Sequence, residues 1–236
     1  MICGIAFDLE GTIIDIEWAH WEGHLTAVKE AGLCLTLQQA VKDIPHFVGG
    51  PDELIAKELA ERCDSNITPE DLLARSNYVF KELLYSIKEI QPRQGYLELL
   101  KNAIKIKLPI AVGSLTDQVL ATYLIHKSKL DIYFHNNNTV LKEDVVNLKP
   151  SPDVYNRTAE KMGISPSEQL VFEDSFNGVK AAIRAGSKVV AVPIIKTIAF
   201  RHKLIRAGAS AIFYDWNGIN IFNLLRSLNE IEKRRK

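Results

Sequence analysis

The 236-residue chain is 47% hydrophobic and 25% charged, which is enough apolar material for a full core and for division into a large and a small domain. Its 29 basic and 29 acidic side chains balance, arguing against a broad electrostatic footprint for nucleic acid or a membrane surface. Three cysteines, Cys3, Cys34 and Cys63, show no C-x-x-C spacing, so neither a disulfide framework nor a structural zinc site is expected, and they read as packed or free thiols in a reducing compartment.

The first apolar run, Ile2 to Phe7, is short and ends in a Gly-Thr turn signal, so it reads as a buried strand. No charged-then-apolar leader precedes it, and no run approaches the roughly 18 apolar residues that span a bilayer. A cytoplasmic location without membrane attachment is the expectation. Helical spacing follows through Trp18, Trp21, Leu25 and Val28, stopping at Gly32. Further helices are expected over Leu37–Ile44, Asp52–Cys63, Pro69–Ile87 and Gln94–Ile106, the second of these entered through Gly49-Gly50-Pro51. Residues 17–90 therefore read as an all-helical insert.

From Leu108 the pattern changes. Apolar runs at 109–112, 170–172 and 188–192 alternate with helical stretches near 117–128, 151–162 and 176–185. That alternation is the mark of βαβ units and a parallel sheet, giving an α/β, Rossmann-like core with the helical insert. Ile132-Tyr133-Phe134 and Ala211-Ile212-Phe213 are further short strand candidates, Asn136-Asn137-Asn138 reads as a turn, and Ile219 to Lys233 reads as a closing helix. The terminal run Lys233-Arg234-Arg235-Lys236 reads as a solvated helix end with cations at the favourable pole of the helix dipole.

Several chemically capable residues fall at equivalent places in this pattern. Asp8 and Glu10 follow the first strand, Ser114 follows the run Ala111-Val112-Gly113, and Glu173-Asp174 end the run Leu170-Val171-Phe172. Taken singly, each has an ordinary reading: Ser114 and the acids as helix caps or first-turn residues, Lys149 as a loop lysine. Parallel neighbouring strands would instead bring their ends to one edge, where ligands bind in open α/β sheets. Three carboxylates, Asp8, Glu173 and Asp174, would repel one another without a cation, and hard oxygen ligands select Mg²⁺. A phosphate brought there would find the Ser114 hydroxyl, the Lys149 ammonium and loop N–H groups near Leu9 and Glu10. Asp8 is then placed to attack phosphorus, and Glu10 to serve as general acid and base.

In order along the chain, Asp8-Leu9-Glu10-Gly11-Thr12, Gly113-Ser114, Lys149-Pro150 and Glu173-Asp174-Ser175-x-x-Gly178 resemble the four motifs of the haloacid dehalogenase superfamily. The helical insert resembles that superfamily's cap, and Thr12-x-x-Asp15-x-Glu17 with Lys149-Pro150-x-Pro152 resembles its β-phosphoglucomutase-like phosphatases. The resemblance implies a core of residues 1–16 and 91–236 with a cap of residues 17–90. It implies catalytic roles for Asp8, Glu10, Ser114 and Lys149, and substrate contacts from Leu9, Gly11, Thr12, His20, Gly113 and Leu115. Metal ligation is implied for Asp8, Glu10, Glu173 and Asp174, with Mg²⁺ as the cofactor.

Two departures from the family pattern refine the expectation. Glu10 stands where the second aspartate is usual, as in the D-x-E-G-T of enolase-phosphatases, and its carboxylate favours phosphate esters over dehalogenation or phosphonate cleavage. The cap segment Val48-Gly49-Gly50-Pro51-Asp52-Glu53 carries no arginine where mutases of this subgroup place a phosphate-binding one, although Arg75 or Arg93 is available elsewhere. The expected function is hydrolysis of a small phosphorylated metabolite through an aspartyl-phosphate, by a monomer or weak dimer. A mutase is the first alternative. A binding protein that kept the fold and lost turnover at Glu10 is the second.

Overall fold

The structure is a computed structural model describing residues 1–48 and 50–235, with side chains through residue 230. Gly49 of the expected Gly-Gly turn and the side chains of the terminal basic run lie outside the described residues. The chain divides into two compact units, one of residues 1–15 and 89–236 and the other of residues 16–88.

The smaller unit is helical. It contains α1 (Glu17–Glu30), α2 (Leu37–Asp43), α3 (Asp52–Ala60) and α4 (Pro69–Ser86). Thr36 starts α2 with a reciprocal capping box to Gln39, and Thr68 caps α4 just before Pro69, so both starts satisfy otherwise orphaned N–H groups. Apolar side chains at helical spacing, among them Val28, Ile44, Phe47, Ile55, Leu59 and Leu72, close a core of their own. Gly23 lets α1 approach α4, because a Cβ there would stand 2.7 Å from the Ser76 carbonyl oxygen. The next residue, His24, is buried between Ser76 Oγ at 3.0 Å and Asp52 Oδ1 at 3.3 Å.

The larger unit is a six-stranded sheet of β1 (Gly4–Phe7), β2 (Ile110–Gly113), β3 (Thr139–Val140), β4 (Gln169–Glu173), β5 (Lys188–Ala191) and β6 (Ala211–Ile212). Every pairing is parallel and the spatial order is β3-β2-β1-β4-β5-β6. The order reverses direction at β1, where Phe7 pairs with Val112 on one side and Phe172 on the other. This is the switch point at which the carboxyl ends of neighbouring strands splay to form a crevice. The crossover helices are α5 (Tyr96–Lys105), α6 (Gln118–Lys127), α7 (Asp153–Met162), α8 (Phe176–Ala185) and α9 (Ile198–Ala207), and α10 (Ile221–Arg235) follows the last strand.

An aromatic cluster lies at the carboxyl end of β1. Phe7 stacks on Phe172 at 5.4 Å and meets Tyr96 edge-on at 5.3 Å, while Trp216 packs against Tyr96 and Phe172, each at 5.1 Å. Large buried rings leave little room for rearrangement, so the residue that follows Phe7 is held on a rigid base.

Three expectations change. Ile132-Tyr133-Phe134 is a turn, with the Tyr133 and Phe134 amides both bonded to the Leu130 carbonyl, and the strand of this region is instead Thr139–Val140. Segment 198–207, not marked as regular in the sequence reading, is α9, although Thr197 at its start and Gly208 at its end are ordinary helix signals. Ser114 does not cap α6; Asp117 does, accepting from the Leu120 amide at 3.0 Å. The Asn136–Asn138 turn is internally bonded, with Asn138 reaching the His135 amide and the Tyr133 carbonyl.

Candidate active site

Four strand ends meet at the switch point. Asp8 leaves β1 with its amide bonded to the Phe172 carbonyl of β4 at 3.0 Å, so its side chain is placed by sheet pairing and not by the loop alone. Ser114 leaves β2 with its amide on the Val140 carbonyl of β3 at 3.0 Å. Glu173 is the last residue of β4, and the adjoining Asp174-Ser175 turn leads into α8, whose first turn is capped by Ser175.

Lys149 joins these ends. Its ammonium donates to Asp8 Oδ1 at 2.6 Å, Glu173 Oε1 at 2.7 Å and the Gly113 carbonyl at 3.2 Å, so its three protons meet three acceptors. Burial alone would lower its pKa, but the charges and hydrogen bonds of Asp8 and Glu173 outweigh that and raise it, so it remains a cation. Burial raises the Asp8 pKa, opposed by Lys149 and reinforced by Glu173, to about 7. Burial acts the same way on Glu173, yet Lys149 and its hydrogen bonds win and its pKa is lowered.

The Glu173 carboxylate is fully engaged. Oε1 accepts from Lys149 and from the Tyr155 hydroxyl at 2.7 Å, and Oε2 accepts from the Asp174 amide, the Ser175 amide and Ser175 Oγ, each at 3.0 Å. Gly178 is the reason this carboxylate can lie on the first turn of α8, since a Cβ at 178 would coincide with it. The Ser175-x-x-Gly178 spacing is thus a steric requirement of Glu173.

The loop after Asp8 folds on itself, with the Ile13 and Ile14 amides on the Leu9 carbonyl and the Gly11 amide on the Ile14 carbonyl. Gly11 has φ +74°, and a Cβ there would meet the Asp174 carboxylate. Thr12 Oγ1 donates to Asp174 Oδ1 at 3.3 Å, and Trp216 Nε1 donates to the Thr12 carbonyl at 3.2 Å. Glu10 accepts a hydrogen bond from Thr116 Oγ1, whose other neighbour is Ser114 Oγ at 2.8 Å.

Of the residues expected at the site, Asp8, Glu10, Gly11, Thr12, Gly113, Ser114, Lys149, Glu173 and Asp174 are joined by these contacts. Among the described residues, Asp8, Glu173 and Asp174 form the one acidic group with oxygens within 4.8 Å of one another. Glu10, expected as a fourth ligand, is not in that group. The Leu9 side chain is buried in the core, leaving only its backbone for a ligand, and Leu115 is half-buried after β2. His20 lies on α1 with its ring stacked on Phe80 at 3.8 Å.

The Asp8 and Glu173 carboxylates are buried and share the Lys149 ammonium, and the Asp174 carboxylate beside them is half-buried. Three carboxylates with oxygens within 4.8 Å of one another, all hard donors, fit a small divalent cation. Asp8 and Asp174 suit it best, because Glu173 already accepts five hydrogen bonds from protein donors.

Sequence reasoning missed Tyr155, Thr116, Trp216 and the true employment of Arg93. The Arg93 Nη1 donates to the Gly11 carbonyl at 2.7 Å, with the Val192 and Thr12 carbonyls also in reach at 2.5 and 3.4 Å, so this arginine ties the loop to the end of β5. Arg75, the other candidate for a phosphate-binding arginine, makes a bidentate pair with Glu30 at 2.7 Å. Tyr155 and Trp216 carried no signal beyond being aromatic. Thr116 did carry one, as a second hydroxyl two residues past Ser114.

Comparison with known proteins agrees with this geometry. Fructose-1-phosphate phosphatase YqaB of Escherichia coli is 28% identical over 192 residues, covering 81% of this chain and 97% of its own. The phosphorylated carbohydrates phosphatase of Thermotoga maritima is 28% identical over 210 residues, covering 88% and 92%. The crystal structure of a haloacid dehalogenase-like protein from Agrobacterium tumefaciens superposes with a TM-score of 0.83 at 20% identity, covering 97% of this chain and all of that one, and so shares the fold. The family model for haloacid dehalogenase-like hydrolases matches residues 5–192, which include Asp8, Ser114, Lys149 and the Glu173-Asp174 pair, and the chain belongs to that family.

Proposed function

We propose that the protein is a Mg²⁺-dependent phosphatase that hydrolyses a small phosphorylated metabolite, of the sugar phosphate, nucleotide or phosphoglycolate type, through an aspartyl-phosphate at Asp8. The observation that carries this reading is the pairing of Asp8 with Lys149 at 2.6 Å beside Ser114 and Asp174, at the carboxyl end of the central strand. The named activities of the relatives, phosphatases acting on fructose 1-phosphate and on phosphorylated carbohydrates, support the same substrate class.

Asp8 is the nucleophile. Its carboxylate attacks phosphorus, and the P–O bond to the alcohol breaks as the Asp8–phosphorus bond forms. Glu10 gives its proton to the departing alcohol oxygen, then takes one from the water that opens the acyl-phosphate, restoring Asp8 and releasing phosphate. The Lys149 ammonium and the Ser114 hydroxyl bind the phosphoryl oxygens, where charge builds during transfer. Asp8 and Asp174 would hold Mg²⁺, which when bound supplies further charge neutralisation at the same oxygens. Glu173 and Tyr155 orient Lys149. Residues 16–88 are read as the cap, and a reducing, cytoplasmic setting suits the free cysteines.

Hydrolysis is favoured over isomerisation. A mutase must grip a second phosphate while the first is exchanged, and Arg75 and Arg93 both have other partners. Phosphate release from a panel of sugar phosphates, nucleotides and phosphoglycolate, with Mg²⁺ and with EDTA, tests the proposal. Turnover that requires Mg²⁺ and disappears in Asp8→Asn is the expected result. Absence of turnover by the wild type, together with its appearance in Glu10→Asp, would replace the phosphatase with a binding protein that had lost activity.

A further inference from the structure

We propose that Thr116 is a positioning residue for Glu10, holding the general acid over the leaving oxygen. The inference rests on the phosphatase reading. Glutamate has one more rotatable bond than aspartate, so a Glu at position 10 needs a partner that an Asp would not. Thr116 is such a partner. It is 8% exposed, and its hydroxyl donates to Oε1 of Glu10.

The bond joins the loops that follow two register-paired strands. Glu10 lies three residues beyond Phe7 and Thr116 four beyond Val112, and Phe7 and Val112 are register partners in β1 and β2. Two further bonds fix the Thr116 backbone: its amide donates to Ser114 Oγ at 3.3 Å, and its carbonyl accepts from the Lys142 amide at 3.3 Å. A threonine hydroxyl has one proton. With that proton on Glu10, Thr116 Oγ1 acts only as an acceptor towards Ser114 Oγ, 2.8 Å away, whose own proton goes to a phosphoryl oxygen once substrate is bound. Thr116 therefore presents Glu10 with a donor of defined direction.

The consequence is specific to one step. A poor leaving group, such as a sugar alkoxide, needs the proton of Glu10 as the P–O bond breaks, whereas p-nitrophenolate does not. kcat/KM covers only the steps through aspartyl-phosphate formation, so it isolates the acid role from the later activation of water. Misplacement of a general acid that contributes about 10²- to 10⁴-fold is expected to cost about 10-fold or more with the poor leaving group.

The test compares wild type, Thr116→Val and Thr116→Ser on two substrates, the best alkyl phosphate from the panel and p-nitrophenyl phosphate. In Thr116→Val, kcat/KM should fall about 10-fold further for the alkyl phosphate than for the aryl phosphate, with the loss in kcat and not in KM. Thr116→Ser, which keeps the hydroxyl, should recover most of the difference. Equal losses on both substrates, or a Thr116→Ser variant as impaired as Thr116→Val, would overturn the assignment while leaving the phosphatase reading intact. Should Thr116→Val fail to fold, as judged by its circular dichroism melt, Thr116→Ala removes the same hydroxyl without new bulk and decides by the same ratio. A wild type inactive on both substrates would overturn the phosphatase reading and this assignment with it.

Discussion

Lys149 is the counter-ion of Asp8, 2.6 Å away, and it is shared with Glu173 at 2.7 Å, so two buried carboxylates depend on one buried ammonium. Replacing it with a neutral residue leaves both carboxylates without a cation. Breaking a buried pair from one side typically costs about 3–5 kcal/mol. Lys149→Met should lose stability of that order in urea titrations at pH 7 without metal, and should hydrolyse no phosphate ester. The loss should shrink at pH 5, where Asp8 can take up a proton.

The elevated Asp8 pKa sets a pH dependence that can be worked out in sign. In the folded chain Asp8 keeps its proton up to about pH 7, while an unfolded aspartate releases it near pH ~3.9. Between those values the folded state binds more protons, so this group's contribution to stability declines as pH rises from about 4 to about 7. Glu173, with a lowered pKa, contributes in the opposite sense, but only below the ordinary carboxylate range. Melting temperatures in EDTA should therefore carry a component that falls between pH 5 and pH 8, and added Mg²⁺ should raise them more at pH 8 than at pH 5. A Mg²⁺ shift equal at both values would remove Asp8 from the metal site.

Gly178→Ala tests the steric role of that glycine. The new methyl group must displace the Glu173 carboxylate, and overpacking of this kind costs about 1–3 kcal/mol. Because Glu173 orients Lys149, turnover should fall by more than the stability change accounts for, and initial rates measured well below the melting temperature check it.

Arg93 and Arg75 should behave differently on truncation. Arg93→Met removes a half-buried donor from the carbonyls of the buried residues Gly11 and Val192, at about 1–3 kcal/mol for a buried group left unsatisfied, and loosens the loop that carries Glu10. Thermal melts and phosphate release should both report it. Arg75→Met breaks an exposed pair with Glu30, which solvent screens, and should leave stability nearly unchanged. Neither variant should lose a bisphosphate dependence, because a hydrolase has none.

Tyr155→Phe removes one of five hydrogen bonds to Glu173 without altering the packing of the ring. A bond to a charged group is worth about 1.5–3 kcal/mol, and a stability loss in that range by chemical denaturation is expected.

Much of the fold follows from local pattern. The 3.6-residue spacing and caps of the inserted helices, and the short apolar runs separated by helical stretches, need no long-range information, because periodicity and turn chemistry act within a few residues. The two-residue strand Thr139–Val140 carries no such pattern. It exists because β2 offers an edge to pair with, and the apolar triplet at 132–134 lost to a turn closed on Leu130.

The chemistry divides in the same way. From the sequence alone came an acid pair after the first strand, a serine after the second, a lysine before a proline and a second acid pair, each at a strand end or helix start, and with them the family. Convergence belonged to the tertiary structure, since sheet order decides which strand ends are neighbours. Only packing could show that Lys149 is shared by Asp8 and Glu173, that Tyr155 and Gly178 shape the Glu173 site, that Arg93 is a brace for the loop, and that Thr116 reaches Glu10. Apart from Gly178, five residues beyond Glu173, those relationships join residues from 18 to 141 positions apart, and no local spacing rule extends that far.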